Sequence, residues 1–282
     1  MIMQKRTWLI TGVSSGFGYV MTQQLLEKGD KVIGTVRNKD KVAGLIENYP
    51  DTFICELLDV TDVPAIRKLV DDSFDKSGVI DVIVSNAGYG LFGAAEELSD
   101  AEVDHIIATN LTGPIQLIRS ALPHLRAQGS GRIIQLSSYG GQVAFPGNSM
   151  YHATKFGIEG FCESVAQEVA AFNIGITLVE PGGARTEFRY GSAQVASLMP
   201  EYEGNPAHGF LSMLDGSNGL APGDPARMAA RMIESVDVEP APMRMVLGSQ
   251  ALATTLSTLK KRVADFEKQT ELAASTDFPA GE

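Results

Sequence analysis

Tyr151 and Lys155 lie four residues apart in Ser149-Met-Tyr-His-Ala-Thr-Lys-Phe156, and Ser138 stands thirteen residues before the tyrosine. Residues i and i+4 share one face of a helix, so the Lys155 ammonium can lie beneath the Tyr151 phenol. A free phenol is a weak acid, with pKa about 10. A neighbouring cation favours phenolate and lowers that value. A tyrosine tuned in this way exchanges a proton near neutral pH, and a serine hydroxyl beside it can donate to the same oxygen. That is equipment for interconverting an alcohol and a carbonyl. In a chain with seven tyrosines such a pair also arises by chance, as an exposed tyrosine near a solvated lysine. Its meaning depends on the elements around it.

Those elements alternate. Strand-like segments at Thr7–Ile10, Lys31–Val36, Thr52–Leu57, Asp81–Ser85, Gly131–Leu136 and Ile174–Val179 are separated by helical patterns at about 17–28, 62–76, 99–126 and 149–172. Ser99 and Glu102 form a capping-box pattern at the start of the long third helix. Repeated strand-then-helix order predicts a doubly wound, Rossmann-like α/β fold: a parallel sheet between two helical layers, in one domain spanning 1–282. After Glu180 the rhythm breaks. Residues 190–224 are rich in Gly, Pro, Ser and Met and are expected to form an irregular substrate lid. A helix resumes at Asp224, Arg244–Leu247 reads as a last strand, and a polar helical tail begins near 249 and frays over 273–282.

The first strand meets the first helix at Thr11-Gly-Val-Ser-Ser-Gly-Phe-Gly18. Glycine permits tight turning and close backbone approach, and a helix N-terminus offers unpaired N–H groups and the positive end of its dipole. The loop therefore reads as a pyrophosphate cradle, or else as a tight turn without a ligand. Its spacing is Gly-x-x-x-Gly-x-Gly.

Composition narrows the remainder. A hydrophobic content of 44%, a charged content of 20% and 282 residues suit one globular α/β domain with a full core. A net charge of −11 argues against general nucleic-acid binding. No run approaches the roughly 20 apolar residues of a membrane span. The N-terminus lacks the pattern of a secretion signal, and Cys55 and Cys162 read as free thiols, so a cytoplasmic location is expected. His105, His124, His152 and His208 show no metal-ligand spacing and are expected to be structural or surface residues, with no metal site.

Taken in order, these motifs resemble the short-chain dehydrogenase/reductase family in its single-domain branch. The resemblance covers residues 7 to about 190: Thr11–Gly18, Asp59-Val60 after the third strand, Asn86-Ala87-Gly88 after the fourth, then Asn110, Ser138, Tyr151, Lys155 and Pro181-Gly182. It implies an oxidoreductase that moves a hydride between a nicotinamide and a carbonyl or alcohol. Tyr151 is then the proton donor in reduction and the base in oxidation. Lys155 lowers the Tyr151 pKa and binds the nicotinamide ribose. Ser138, with Ser137 as the alternative, donates to the substrate oxygen. Asn110 helps to hold a water that links Lys155 to solvent, or kinks its helix, and the two roles can coexist.

The resemblance also places the coenzyme along Gly12, Ser14, Ser15, Gly16, Phe17 and Gly18, with Asp59 and Val60 at the adenine. Asn86, Ala87 and Gly88 line the adenosine side, and Pro181, Gly182, Gly183 and Thr186 the nicotinamide side. Ala184 departs from the bulky apolar residue of the family pattern, which weakens the carboxamide contact there. Relatives that prefer NAD carry an acidic residue at the end of the second strand, whereas this chain has Val36 and then Arg37. A guanidinium pairs with a 2′-phosphate, and Ser14 is placed to assist, so NADP is expected over NAD.

The substrate side is expected to include Tyr89, Leu91, Phe92, Gly140, Val143, Phe145, Met150 and Phe188. The lid would add Tyr190, Leu198, Met199, Tyr202, Phe210 and Met213. An apolar wall favours a hydrophobic ketone, aldehyde or secondary alcohol. The stretches Ser85–Gly93 and Tyr151–Gly160 are similar to the hydroxysteroid and retinol dehydrogenase-like branch. Members of the family often form homodimers or homotetramers through helices matching 99–126 and 149–172. The alternative is a silent coenzyme-binding sensor, but such proteins commonly lose the tyrosine or the lysine, and this chain has both.

Overall fold

In chain order the strands are β1 (Thr7–Thr11), β2 (Lys31–Val36), β3 (Phe53–Leu57), β4 (Val82–Ser85), β5 (Leu91–Phe92), β6 (Gly131–Leu136), β7 (Ile174–Pro181), β8 (Gln194–Val195) and β9 (Arg244–Leu247). The first of these shows why the sheet is covered on both sides: Trp8 and Ile10 point to one face, Leu9 to the other, and all three are fully buried. Seven strands pair in parallel in the order β3-β2-β1-β4-β6-β7-β9. The direction of winding reverses between β1 and β4, the crevice where such sheets bind ligands. The computed structural model describes residues 5–216 and 220–278, and only the main chain of 189, 190, 215 and 216. The Tyr190 side chain and residues 217–219 of the expected lid lie outside the described residues.

The helices are α1 (Gly16–Glu27), α2 (Ala43–Asn48), α3 (Val63–Ser77), α4 (Asp100–Ile107), α5 (Gly113–Gln128), α6 (Ser149–Val169), α7 (Pro206–Gly216), α8 (Pro225–Glu234), α9 (Ser249–Glu267) and α10 (Thr270–Ala274). Met21 and Leu25 of α1, Leu45 of α2 and Met232 of α8 pack with Trp8 and Ile10 on one face. Ile66 of α3, Ile118 of α5 and Ile158 of α6 pack with Leu9 and Ile83 on the other. The result is the expected three-layer, Rossmann-like α/β/α arrangement. Helix starts follow local chemistry: Asp62 caps Ala65, Asp224 caps Ala226 and Arg227, and Ser99 with Glu102 makes a reciprocal capping box.

Two expectations need correction. The long helix predicted over 99–126 is broken by a π turn at Ala108–Thr112, which separates α4 from α5 around Asn110. Residues 190–224 are not wholly irregular, since they contain α7 and the short strand β8, which pairs with β5. The short helix α10 ends two residues inside the stretch expected to fray. Residues 39–48, left without an element, form a 3-10 turn and α2.

Candidate active site

Thr11 ends β1 and organises the glycine loop. Its hydroxyl accepts from Asn86 N at 3.0 Å and Ala87 N at 3.2 Å, while Asn86 Nδ2 donates to Thr11 O and Gly12 O at 2.9 and 3.0 Å. Asn86 is thus a strut between the loop and the end of β4. Gly18 lies where this contact is tightest: a Cβ there would meet Gly12 O at 2.3 Å and Asn86 Nδ2 at 2.5 Å. Ser15 precedes α1 without capping it by its side chain, so the first-turn N–H groups face the loop. Bare backbone at a helix N-terminus, in a cradle that one methyl group would fill, fits a pyrophosphate. Across the loop, Thr186 Cβ would lie 4.0 Å from a Cβ on Gly16, so the Pro181–Thr186 segment closes the same cleft. That segment is fixed by Gly182 N donating to Leu247 O and by a bridge between Ala184 and Gly223.

Arg37 is exposed just beyond β2, and its charge lowers the Asp59 pKa. The larger causes of that shift are hydrogen bonds to Asp59 from Thr61 N at 2.9 Å and Thr61 Oγ1 at 2.8 Å. Thr35, Val36 and Arg37 therefore carry no carboxylate to the coenzyme side, as the sequence indicated.

The proton-transfer residues converge from two elements. Ser138 follows β6, and its Oγ accepts from Gly140 N at 3.0 Å, leaving its own proton to donate. Tyr151 and Lys155 share one face of α6, with the Lys155 nitrogen 5.5 Å from the centre of the Tyr151 ring. Lys155 is buried and donates to Leu136 O at 2.9 Å, a carbonyl two residues before Ser138. Burial pushes the Tyr151 phenol up to about 12, against the pull of its hydrogen bond with Ser138. The expected depression by Lys155 is not found: burial is the largest cause at Tyr151, and Lys155 itself is lowered to about 8, chiefly by burial. At neutral pH the phenol holds its proton and the ammonium its charge, which is the donating form of the pair. Ser137, the alternative hydroxyl, is turned away and donates to Glu159 Oε1 at 2.5 Å.

Asn110 is almost fully buried in the π turn. Its Oδ1 accepts from Tyr89 N at 3.0 Å and its Nδ2 donates to Tyr89 O at 2.7 Å. His152, expected to be structural, braces the loop opposite: Nδ1 contacts Gly140 O at 2.7 Å and Nε2 accepts from Phe145 N at 2.9 Å. An acceptor at Nε2 makes Nδ1 the protonated nitrogen, and burial lowers the His152 pKa, so the ring is neutral.

On the substrate side the expected residues divide. Tyr89 and Leu91 pack with Ile106 as core, and Val143 is buried. The aromatic wall is instead Phe92, Phe145 and Phe188 with Phe210 of α7. Phe210 stacks on Phe145 at 5.5 Å and meets Phe92 at 6.4 Å, and Phe188 stands edge-on to Tyr151 at 6.2 Å. Met150 packs beside Tyr151 against the Tyr89 cluster, and Gly140 lies 3.0 Å, as a notional Cβ, from His152 Nδ1. The segment over 199–208 is tied down by Glu97, whose carboxylate accepts from Met199 N and His208 Nε2, each at 2.7 Å, and from Ala94 N at 2.6 Å. Tyr202 adds a hydrogen bond to Glu96. Glu97 and Glu159 were both missed in the sequence, where each is one acidic residue among 34. Among the described residues, no group of His, Cys, Asp or Glu side chains is placed to hold a metal, and no helix is long and apolar enough to cross a membrane.

Comparison with known proteins agrees with this architecture. The short chain dehydrogenase family model matches residues 6–194, and the chain belongs to that family. It is 33% identical to oxidoreductase BOA17 of Botryotinia fuckeliana over 96% of this chain and 99% of the relative. A crystal structure of a short-chain dehydrogenase from Streptomyces avermitilis superposes with a TM-score of 0.91 at 37% identity, covering 98% of this chain and 100% of that one. The structure of ElxO with NADP bound gives a TM-score of 0.72 at 25% identity, over 89% and 100%. The protein is accordingly an NAD(P)-dependent oxidoreductase acting on a small molecule.

Proposed function

We propose that the protein uses NADP(H) to interconvert a hydrophobic ketone or aldehyde with its alcohol, with Tyr151, Ser138 and Lys155 as the proton-transfer group. The observation that carries this reading is their convergence: Tyr151 meets Ser138, and the Lys155 nitrogen lies 5.5 Å from the Tyr151 ring while bonding Leu136 O, two residues before Ser138. Gly12–Gly18, Asp59-Val60, Asn86–Gly88 and Pro181–Thr186 would hold the coenzyme, which supplies or accepts the hydride at the carbonyl carbon. In reduction the proton leaves Tyr151 Oη for the carbonyl oxygen, and the Ser138 hydroxyl donates to that oxygen as charge develops. The Lys155 ammonium then stabilises the phenolate. In oxidation the same proton returns. Asn110 acts by shaping the π turn beside the site. Arg37 supports NADP, since an exposed guanidinium just beyond β2 suits a 2′-phosphate. The ring wall of Phe92, Phe145, Phe188 and Phe210 supports an apolar substrate. Assembly into a homodimer or homotetramer through α4, α5 and α6 belongs to the same proposal, and light scattering tests it.

The test is oxidation of NADPH and NADH with a panel of hydrophobic ketones and aldehydes. Tyr151→Phe should lower kcat by about 10²–10⁴-fold. Arg37→Asp should shift preference towards NADH. Equal or better use of NADH by the wild type would overturn the role of Arg37. NADPH binding without turnover, unchanged in Tyr151→Phe, would favour the silent sensor.

A further inference from the structure

Glu159 lies four residues beyond Lys155, on the α6 face that carries Tyr151, and it is 2% exposed. Its carboxylate reaches out of the helix to the turn after β6. Oε1 accepts from Ser137 Oγ at 2.5 Å, and Oε2 accepts from the Gln142 side-chain amide and from Arg244 Nη1 at 2.6 Å. Ser137 and Gln142 bracket Ser138 and the Tyr139–Gly141 turn, so one carboxylate holds both sides of the segment that presents the Ser138 hydroxyl. The turn rests directly on it: a Cβ at Gly141 would fall 1.8 Å from Glu159 Oε1.

The charge around it is concentrated. Arg244 of β9 bonds Glu159, Glu163 of α6 and Glu180 of β7, so three carboxylates share one guanidinium. Glu180 is 1% exposed, and its pKa is raised by burial and then by Glu159. Replacing a buried ion cluster of this kind with apolar side chains is often neutral or stabilising. Packing alone therefore gives no reason for Glu159. An apolar side chain cannot accept hydrogen bonds from Ser137 and Gln142 together, and it cannot place negative charge beside Lys155.

We propose that Glu159 is a positioning residue for proton transfer, fixing the Ser138 turn against Tyr151 while setting the charge environment of Lys155. This rests on the roles given to Ser138, Tyr151 and Lys155 above. The groups facing Glu159 are Tyr151, Lys155, Cys162 and Glu163 on its own helix, Glu180 from β7, Arg244 from β9, and Ser137 and Gln142 at the turn. Burial lowers Lys155 and Glu159 opposes it. Burial raises Tyr151 and Glu159 adds to it. Both effects hold protons on the pair, so removing the charge makes both groups release them at lower pH.

Glu159→Gln keeps the shape but sets an amide NH2 against Gln142 and Arg244. Carbonyl reduction by this variant should show kcat lowered on the order of 10²-fold, the size of a misplaced reacting group. Its alkaline limb should move down by about half a pH unit or more, as expected for one close charge. In the ligand-free protein, phenolate absorbance read as the difference from Tyr151→Phe should titrate lower in the same direction. Ser137→Ala cuts one strut and leaves the charge. It should lower kcat about tenfold with the alkaline limb unmoved, and it decides the geometric part if Glu159→Gln does not fold. A folded Glu159→Gln with wild-type kcat and pH profile overturns the proposal. So does a uniform loss with no shift in profile or phenol titration, together with a wild-type Ser137→Ala. Absence of turnover in the wild type overturns the proton-transfer reading itself, whereas wild-type turnover unaffected by either variant overturns this inference alone.

Discussion

Replacing Asn110 by alanine tests whether the π turn exists to seat one side chain. Asn110 is 1% exposed, and its amide pairs with both backbone groups of Tyr89, at 2.7 and 3.0 Å. Alanine removes both partners. The Tyr89 N–H and C=O stay buried, and each buried backbone group left unpaired costs about 1–3 kcal/mol. The loss in folding stability is therefore about 2–6 kcal/mol, a large share of the about 5–15 kcal/mol that a domain holds. At about 2 °C per kcal/mol for a chain of this size, the melting temperature falls by roughly 4–12 °C. Asn110→Asp separates the two bonds: one carboxylate oxygen still accepts from Tyr89 N, while the other faces Tyr89 O where a donor is needed. It should be destabilised as well, and most at neutral pH, where the carboxylate is charged. Urea unfolding followed by circular dichroism gives the free energies. A change below about 0.5 kcal/mol in Asn110→Ala, the range of an ordinary surface substitution, would refute the argument that the Tyr89 backbone depends on this amide.

Two further outcomes concern residues 194–211. Phe210 meets Phe145 and Phe92, neither of them a proton-transfer residue. Phe210→Ala should therefore raise KM for bulky apolar ketones about tenfold with kcat within about twofold, the signature of lost uniform binding; a fall in kcat alone would place the ring elsewhere in the reaction. Burial works to raise the Glu97 pKa, but its hydrogen bonds from Met199 N, His208 and Ala94 N bring it below the ordinary carboxylate value. A depressed folded pKa contributes stability above the unfolded value, and that contribution is lost as pH falls through the folded one. Protection factors for amide exchange over 194–211, taken against the intrinsic rate at each pH, should thus fall as the pH drops below the ordinary carboxylate range. Glu97→Gln should remove that pH dependence, and an unchanged dependence in the variant would refute the latch.

Local signals made much of this molecule legible. β2, β6 and β9 lie where their apolar runs placed them, and Ser99 with Glu102 caps the helix that their spacing announced. The order of the motifs was enough to bring Ser138, Tyr151 and Lys155 to one cleft, because each follows a strand end or opens a helix. α7 escaped notice although Ala207, Phe210, Leu211 and Leu214 have helical spacing and the Asn205 side chain accepts from Ala207 N. Gly204, Gly209 and Gly216 crowd that short helix and hide the pattern. The π turn escaped because its cause, the Tyr89 backbone, lies 21 residues away in sequence.

The Tyr151 phenol shows where sequence reasoning stops for a physical reason. Helical spacing correctly put a lysine under the ring, and a lysine in water would lower the phenol pKa. Enclosure changes the balance. It penalises phenolate and ammonium alike, so Tyr151 rises to about 12 and Lys155 falls to about 8. The two charges on this pair are costly for the same reason, and the residues that decide their titration lie outside the motif: Ser138 after β6, and Glu159 one turn further along α6, held by Arg244 from β9. A spacing rule finds the pair because it concerns one helix. Its proton affinity belongs to the walls that the rest of the chain builds around it, so a substitution at Glu159 or Arg244, neither of them within the Tyr-x-x-x-Lys motif, should change the pH at which the motif works.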